Sequence, residues 1–203
     1  MSAARRQDLP RHSFAATARS FAADWALIAA SLAASVHLPI VVAPPFWLLI
    51  ASRQHALFIL MHEGAHRHLA RSKLLNDLIS NVLAAWPLLT STEKYRVHHW
   101  KHHRHTNTNA DPDWDRKVKS PDWQFPMPKR RISQIAFSYL QGQGFRDAYF
   151  VARAIGPRGR ELWAFASFWC FILADSAALP HGGSYLIHWF TAYFLVLPTF
   201  MRV

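Results

Sequence analysis

Long apolar stretches alternate with polar segments along the chain, and four of the stretches approach the length of a membrane span. A helix needs about 20 mainly apolar residues to cross the hydrocarbon core of a bilayer. The four predicted spans are Trp25–Val42, Phe46–Met61, Leu162–Leu179 and Tyr185–Met201. Because only a short segment joins the members of each pair, we predict an all-α integral membrane protein with about four transmembrane helices in two hairpins.

A fifth apolar stretch, residues 74–89, contains polar side chains at Asn76, Asp77 and Asn81. This mixture predicts an amphipathic helix that lies on the membrane surface. A single charge, Arg53, interrupts the second predicted span. A charge inside a bilayer is costly, so Arg53 indicates either a functional partner or a side chain that reaches the interface from an over-long helix.

The charge distribution predicts the orientation of these spans and argues against nucleic acid as a partner. The chain has 203 residues, of which 51% are hydrophobic, and a formal net charge of +11. So high an apolar fraction does not suit a basic nucleic-acid-binding domain, whereas Lys and Arg that flank membrane spans account for both properties. Neither hairpin tip, residues 38–45 or 180–184, contains Lys or Arg. By the positive-inside rule the tips face outward and residues 62–160 are cytoplasmic.

Histidines form two clusters within this cytoplasmic region. His62 and His66 are four residues apart at the end of the second predicted span. Five more histidines fall within eight residues: His98, His99, His102, His103 and His105. Residues three and four apart share one face of a helix, so His99, His102 and His103 can converge, whereas the alternative register pairs His98 with His102. We prefer the first register because it uses more ligands.

Imidazole ligands indicate a transition metal such as Zn, Cu, Fe or Ni. The chain has one cysteine, Cys170, so a thiolate cluster is excluded. The predicted metal ligands are His62, His66, His99, His102 and His103. Five imidazoles are too many for one tetrahedral zinc ion, which favours two metal ions.

The carboxylates of Asp111 and Asp113 follow the second histidine cluster closely. They can accept hydrogen bonds from ligand imidazoles, and together with His98 they would form an outer layer around the metal. The alternative is that this Asp-Pro-Asp sequence only forms a turn or caps a helix. The residues themselves do not choose between these roles.

The first cluster also matches a zinc-protease signature. His62-Glu63-Gly64-Ala65-His66 has the form H-E-x-x-H, in which two histidines bind zinc and the glutamate is a general base. The motif is short, no distant segment offers a third ligand, and the second cluster would have no role. We therefore keep a protease, and a solvated histidine tract, only as alternatives.

At these residues the chain resembles the membrane fatty acid desaturase family. The stretch His62–His66 is similar to its first histidine box, H-x₃₋₄-H, and His99-Trp-Lys-His102-His103 to its second, H-x-x-H-H. The flanking Tyr95-Arg96, Asn107-Thr108 and Asp111-Pro112-Asp113 are also similar to bacterial members. The close resemblance covers residues 45–115.

The resemblance implies a di-iron enzyme that uses O2 to insert a double bond into a fatty acyl lipid or acyl thioester. It also implies catalytic roles for the five predicted ligands, and an electron donor such as ferredoxin or a cytochrome. The location implied is a multi-pass membrane protein with its histidine boxes on the cytoplasmic side. A lipid or carotenoid hydroxylase or ketolase, and a non-catalytic metal-binding membrane protein, remain alternatives.

One feature of the family pattern is missing from the sequence. A third box, H-x-x-H-H, is expected after the last pair of spans, but no such motif follows residue 103. We therefore expect residues 1–203 to form a single desaturase-like domain of a C-terminally incomplete member.

Overall fold

The structure is a computed structural model, and it describes residues 14–119 and 126–202. Within these residues the chain is helical and contains no strand. The α-helices are α1 Phe14–His37, α2 Ala43–Ala65, α3 Lys73–Ser80, α4 Thr92–His105, α5 Pro112–Lys119, α6 Lys129–Leu140, α7 Gln143–Ile155, α8 Arg160–Ala178, α9 Gly182–Thr191 and α10 Leu197–Arg202. The all-α prediction is confirmed for the described part of the chain.

The long helix α2 lies at the centre of the fold. Pro44 and Pro45 stand in its first turn, where a missing backbone N–H costs nothing. Its buried positions include Ile50, Leu57 and Met61, which recur at helical spacing and pack against α1, α4 and the C-terminal helices. This packing holds the histidine-bearing end of α2 against α4.

Polar contacts also join the helices of the core. Arg53 Nη1 of α2 lies 3.1 Å from Asp24 Oδ1 of α1, so the charge within the second predicted span has a partner. Gln54 Nε2 donates a hydrogen bond to the backbone oxygen of Trp189 in α9. The indole ring of Trp189 stacks on that of Trp25, with ring centroids 5.8 Å apart. These contacts fix α1, α2 and α9 side by side.

The C-terminal part of the described chain returns to this core as a helical hairpin. Helix α8 has no buried residue. After a short turn, the chain continues as α9, a π-helical turn at Ala192–Val196 and α10. These three segments are contiguous, and they pack against α2. The turn into α9 is tight, because a Cβ on Gly182 would lie 1.9 Å from the backbone oxygen of Ser176.

The four predicted spans are only partly supported. Two of the described helices, α1 and α8, are long and apolar enough on their own to cross a membrane. Helix α2 has 23 residues but carries Arg53 and Gln54 in its middle and histidines at its end. A topology of four spans therefore stays a prediction.

The stretch from residue 74 to residue 89 differs from the prediction. It breaks into α3, a π-helical turn at Asn81–Ala85 and a 3₁₀ turn at Trp86–Leu88. Two polar residues of α3, Asn76 and Ser80, are fully buried, whereas Leu74 is 80% exposed. Asn76 hydrogen-bonds to the backbone of neighbouring segments. The predicted amphipathic stretch is therefore not one regular α-helix, and its location on the membrane surface stays a prediction.

Candidate metal centre

The two histidine clusters meet where the end of α2 contacts α4. His62 lies in the last turn of α2, and His66 is the first residue after it. Helix α4 begins after Ser91, whose side chain accepts a hydrogen bond from Lys94 N and so caps the helix. This helix carries the whole second cluster from His98 to His105.

Four imidazoles converge at this junction. His99 Nε2 lies 3.0 Å from His66 Nε2 and 2.9 Å from His103 Nε2. One ring nitrogen from each of His62, His66, His99 and His103 lies within 4.8 Å of the other three. Nitrogens bound tetrahedrally to one ion at about 2.0–2.1 Å would be about 3.4 Å apart. The donor set therefore fits an imidazole-bound transition ion.

The surroundings of His66 and His99 favour the neutral form of these two imidazoles. His99 is 9% exposed. Burial, followed by the nearby rings of His62 and His103, lowers the pKa of His99 to about 4. Burial is also the main cause that lowers the pKa of His66, followed by the same two neighbours. Because a metal binds neutral imidazole, these ligands do not have to lose a proton at neutral pH.

The fifth predicted ligand, His102, lies beside this group but contacts carboxylates. Its Nδ1 is 2.9 Å from Asp111 Oδ1 and 3.6 Å from Asp113 Oδ2. The ring centroid of His102 is 6.0 Å from that of His99. An N–H to a carboxylate fixes the tautomer of an imidazole and leaves Nε2 for a metal.

The two carboxylates of the Asp-Pro-Asp sequence contact histidines of α4 as well as the backbone of a turn. Asp111 accepts backbone N–H bonds from Asn107 and Asp113, each at 2.9 Å, and so organises the turn before α5. Burial raises the pKa of Asp111, but the hydrogen bond from His102 and these two backbone bonds outweigh it and hold the pKa well below its usual range. Asp113 lies 3.0 Å from His98 Nε2, a contact that lowers the pKa of Asp113.

Glu63 is a third carboxylate that contacts the cluster histidines, and the sequence analysis missed this role. One oxygen lies 3.2 Å from His62 Nδ1 and the other 2.9 Å from His68 Nδ1. Burial raises the pKa of Glu63, but these two hydrogen bonds dominate and lower it. The residue sits next to His62 in sequence, and the protease motif alone had suggested a role for it as a base.

Two aromatic rings border the cluster on different sides. Tyr95 stacks on His99 with ring centroids 5.2 Å apart, and burial is the first cause that raises the pKa of Tyr95 to about 12. Trp100 contacts His66 and His103, with centroids 5.6 Å and 5.8 Å away. Trp100 is 48% exposed, so it connects the histidine cluster with the protein surface.

Comparison with known proteins assigns the chain to a family. A sequence profile described as Fatty acid desaturase matches residues 38–203. The chain belongs to the fatty acid desaturase family. The resemblance to this family is thereby confirmed, and a zinc protease is not favoured. This is a family of oxidoreductases, and no solved structure matches the chain significantly.

Several curated relatives are desaturases. Dihydrorhizobitoxine desaturase of Bradyrhizobium elkanii is 28% identical over 90% of this chain and 56% of its own length. The sn-1 acyl-lipid omega-3 desaturase (ferredoxin) of Nostoc sp. is 32% identical over 43% of this chain and 24% of the relative. The sn-1 oleoyl-lipid 12-desaturase of Picosynechococcus sp. is 32% identical over 44% and 27%. The chain thus spans about half or less of the length of these relatives.

Proposed function

We propose that the chain forms the first two histidine boxes of an O2-dependent di-iron desaturase that acts on a fatty acyl chain. The observation that carries this proposal is the convergence of His62, His66, His99 and His103 from two helices, within a chain of the desaturase family. His102, held by Asp111, completes the proposed ligand set. His98, Asp111 and Asp113 would support it from outside.

Iron, when bound, would supply the oxidising power that no side chain has. The C–H bonds of a methylene run are unactivated, so acid or base groups of the protein cannot break them. The overall change converts CH₂–CH₂ to CH=CH. It consumes one O2, two electrons and two protons for each two waters formed. The histidines of this chain would hold the metal, and neighbouring carboxylates would orient their imidazole rings.

The proposed electron donor is a small acidic protein of the ferredoxin or cytochrome type. The Nostoc relative carries ferredoxin in its name. In this chain Trp100 is exposed beside two cluster histidines, and the neighbouring Lys101 and Arg104 are exposed as well. A positive surface attracts an acidic partner, and an aromatic ring in contact with the ligands offers a short route for electrons.

The proposed location is a membrane, crossed by four spans with the histidine boxes on the cytoplasmic side. The exposed apolar surface of α8 supports contact with lipid.

The topology is tested by labelling single cysteines with a membrane-impermeant maleimide. The cysteines are placed at Gly183 and Asn109 in a Cys170→Ser background. We expect labelling of Gly183→Cys from outside in intact cells, and of Asn109→Cys only after lysis. Labelling of both in intact cells contradicts the two-hairpin topology.

The activity itself is tested by expressing the gene with any downstream coding sequence in a host with saturated lipids. We expect new double bonds in host lipids that depend on O2, and bound iron in the purified protein. An added oxygen atom in the product would instead identify a hydroxylase or ketolase. Bound metal without any lipid change, in the presence of a competent donor, contradicts desaturation and leaves metal binding.

A further inference from the structure

Arg96 of α4 binds the end of the other histidine-bearing helix. Its Nε donates to the backbone oxygen of Ala65 at 2.9 Å, and its Nη2 donates to that of Gly64 at 3.1 Å. These two carbonyls lie between His62 and His66 in sequence. The last carbonyls of a helix have no partner within the helix, and a cation there is also favoured by the helix dipole.

The same guanidinium group is held from its other side by α3. Arg96 Nη2 pairs with Asp77 Oδ1, and the Arg96 side chain is only 11% exposed. Asp77 thereby provides the charge partner that a largely buried cation requires. The guanidinium group of Arg96 therefore binds two carbonyls through Nε and Nη2, and the Asp77 carboxylate through Nη1 and Nη2.

Asn76, the residue before Asp77, binds the same part of α2. Its Nδ2 donates to the backbone oxygen of Gly64 at 2.9 Å, and its Oδ1 accepts from Leu69 N at 3.1 Å. Asn76 is fully buried. The α2 end is thus bound from α4 by Arg96 and from α3 by Asn76, which explains why the polar side of α3 faces inward.

The hydrogen bonds of Arg96 join α4 to the end of α2 close to the histidines of both helices. Arg96 precedes His99 by one turn of α4, and its two carbonyl partners lie directly before His66. A shift of α4 along α2 would therefore break the Arg96 bonds and separate the rings of His66 and His99. Lysine cannot replace arginine here, because one ammonium group cannot match the fork that reaches two carbonyls and a carboxylate.

We propose that Arg96, with Asp77 and Asn76, is a positioning unit that sets the spacing of the two histidine pairs and so tunes metal affinity and coordination geometry. This inference rests on the proposed function of the cluster as a metal site. The three residues touch neither metal nor substrate in this role. They act through the backbone that carries His66 and through the helix that carries His99.

The test uses Co²⁺ as a spectroscopic probe with the full chain purified in detergent. The variants are Arg96→Lys, Asp77→Asn and the double variant. The matched control is Lys94→Gln, which removes another charge from the same helix, one whose ion-pair partner Glu93 is largely exposed at 3.8 Å. The measurements are the Co²⁺ dissociation constant, the visible absorption bands that report coordination, and helix content by circular dichroism.

We expect Arg96→Lys and Asp77→Asn to bind Co²⁺ about ten- to a hundredfold more weakly than the original chain, with shifted bands. The double variant should lose little more than the stronger single variant, because both changes disable one unit. Lys94→Gln should keep the original affinity and bands. Helix content should be retained in Asp77→Asn, which keeps the arginine.

Two results would overturn the inference. One is unchanged Co²⁺ affinity and bands in folded Asp77→Asn, which decides the matter even if Arg96→Lys does not fold. The other is a loss of Co²⁺ affinity in Lys94→Gln as large as that in Asp77→Asn, which would indicate a general effect of charge. An unsubstituted chain that binds no Co²⁺ contradicts the metal centre itself, and with it the role of the unit.

Discussion

His66 and His99 are 33 residues apart in sequence, yet their Nε2 atoms lie 3.0 Å apart at the junction of α2 and α4. Each residue comes from a different histidine box, so this contact joins the two boxes. It exists because the C-terminal end of α2 packs on the middle of α4. The contact makes His99, the most buried ring of the cluster, the centre of the proposed metal site.

Replacing His99 by Ala should therefore impair metal binding more than any change at the edge of the cluster. We expect the His99→Ala variant to lose at least about tenfold in Fe²⁺ affinity, because a nitrogen between two other ligands is removed. His105→Ala, on the exposed end of the same helix, is the matched control and should bind normally. Iron content by elemental analysis and affinity by titration are the measurements. Equal iron content in both variants would remove His99 from the site.

Asp111 should influence the metal through His102. Its side chain is 1% exposed and lies 2.9 Å from His102 Nδ1, whereas Asp113 is 41% exposed and 3.6 Å away. Asp111→Asn removes the negative charge that fixes this imidazole, and we expect metal affinity to fall about tenfold. Asp113→Asn is the control and should have the smaller effect. Titration of both variants with Fe²⁺ is the measurement, and a larger loss in Asp113→Asn contradicts the assigned order.

The sequence could predict the helical histidine faces but not how each face is used. The i, i+3, i+4 spacing predicts that His99, His102 and His103 share one side of a helix, and all three lie on α4. It does not reveal that the His102 ring turns to Asp111, because that contact depends on the turn before α5. The predicted set of five ligands assumed that the two clusters meet, and the family resemblance implied the same, but periodicity itself carries no information about contacts between distant helices.

The orientation of α3 could not be predicted from its pattern either. Periodicity shows which residues share a face, but the same pattern fits a polar face in water and a polar face buried against unsatisfied backbone. Here Asn76 and Asp77 face α2 and α4, while Leu74 is exposed. The buried partners are helix-end carbonyls and Arg96, and only the tertiary arrangement brings these to α3.

Close packing of α3 against α2 leads to a stability prediction at Gly64. A Cβ on Gly64 would lie 2.1 Å from Ser80 Oγ and 2.6 Å from Ser80 Cβ. We expect Gly64→Ala to destabilise the fold by about 1–3 kcal/mol, since the overlap outweighs the better helix propensity of alanine. This corresponds to a fall of several degrees in the midpoint of thermal unfolding in detergent.

The matched rescue variant is Gly64→Ala combined with Ser80→Gly, which removes the overlapping atoms. Ser80→Gly alone also loses the hydrogen bond to Thr92 Oγ1, so it must be measured as a single variant too. We expect the double variant to be more stable than the sum of the two single changes predicts. Strict additivity would show that the two residues do not meet.

Electron delivery should depend on the charge beside Trp100. Reversing two exposed cations in the double variant Lys101→Glu with Arg104→Glu should slow reduction of the iron-loaded protein by a plant-type ferredoxin about tenfold at low salt. The difference in rate should shrink at high salt, because screening weakens attraction between separated charges.

The matched control is the double variant Lys129→Glu with Arg130→Glu on α6, which has the same net charge and should react at the original rate. Reduction by dithionite, a small anion that needs no docking site, separates docking from damage to the metal centre. The surface around Trp100 is not where the donor binds if the Lys101/Arg104 variant is reduced more slowly by ferredoxin and by dithionite to the same extent. The same conclusion follows if ferredoxin reduces the α6 variant just as slowly.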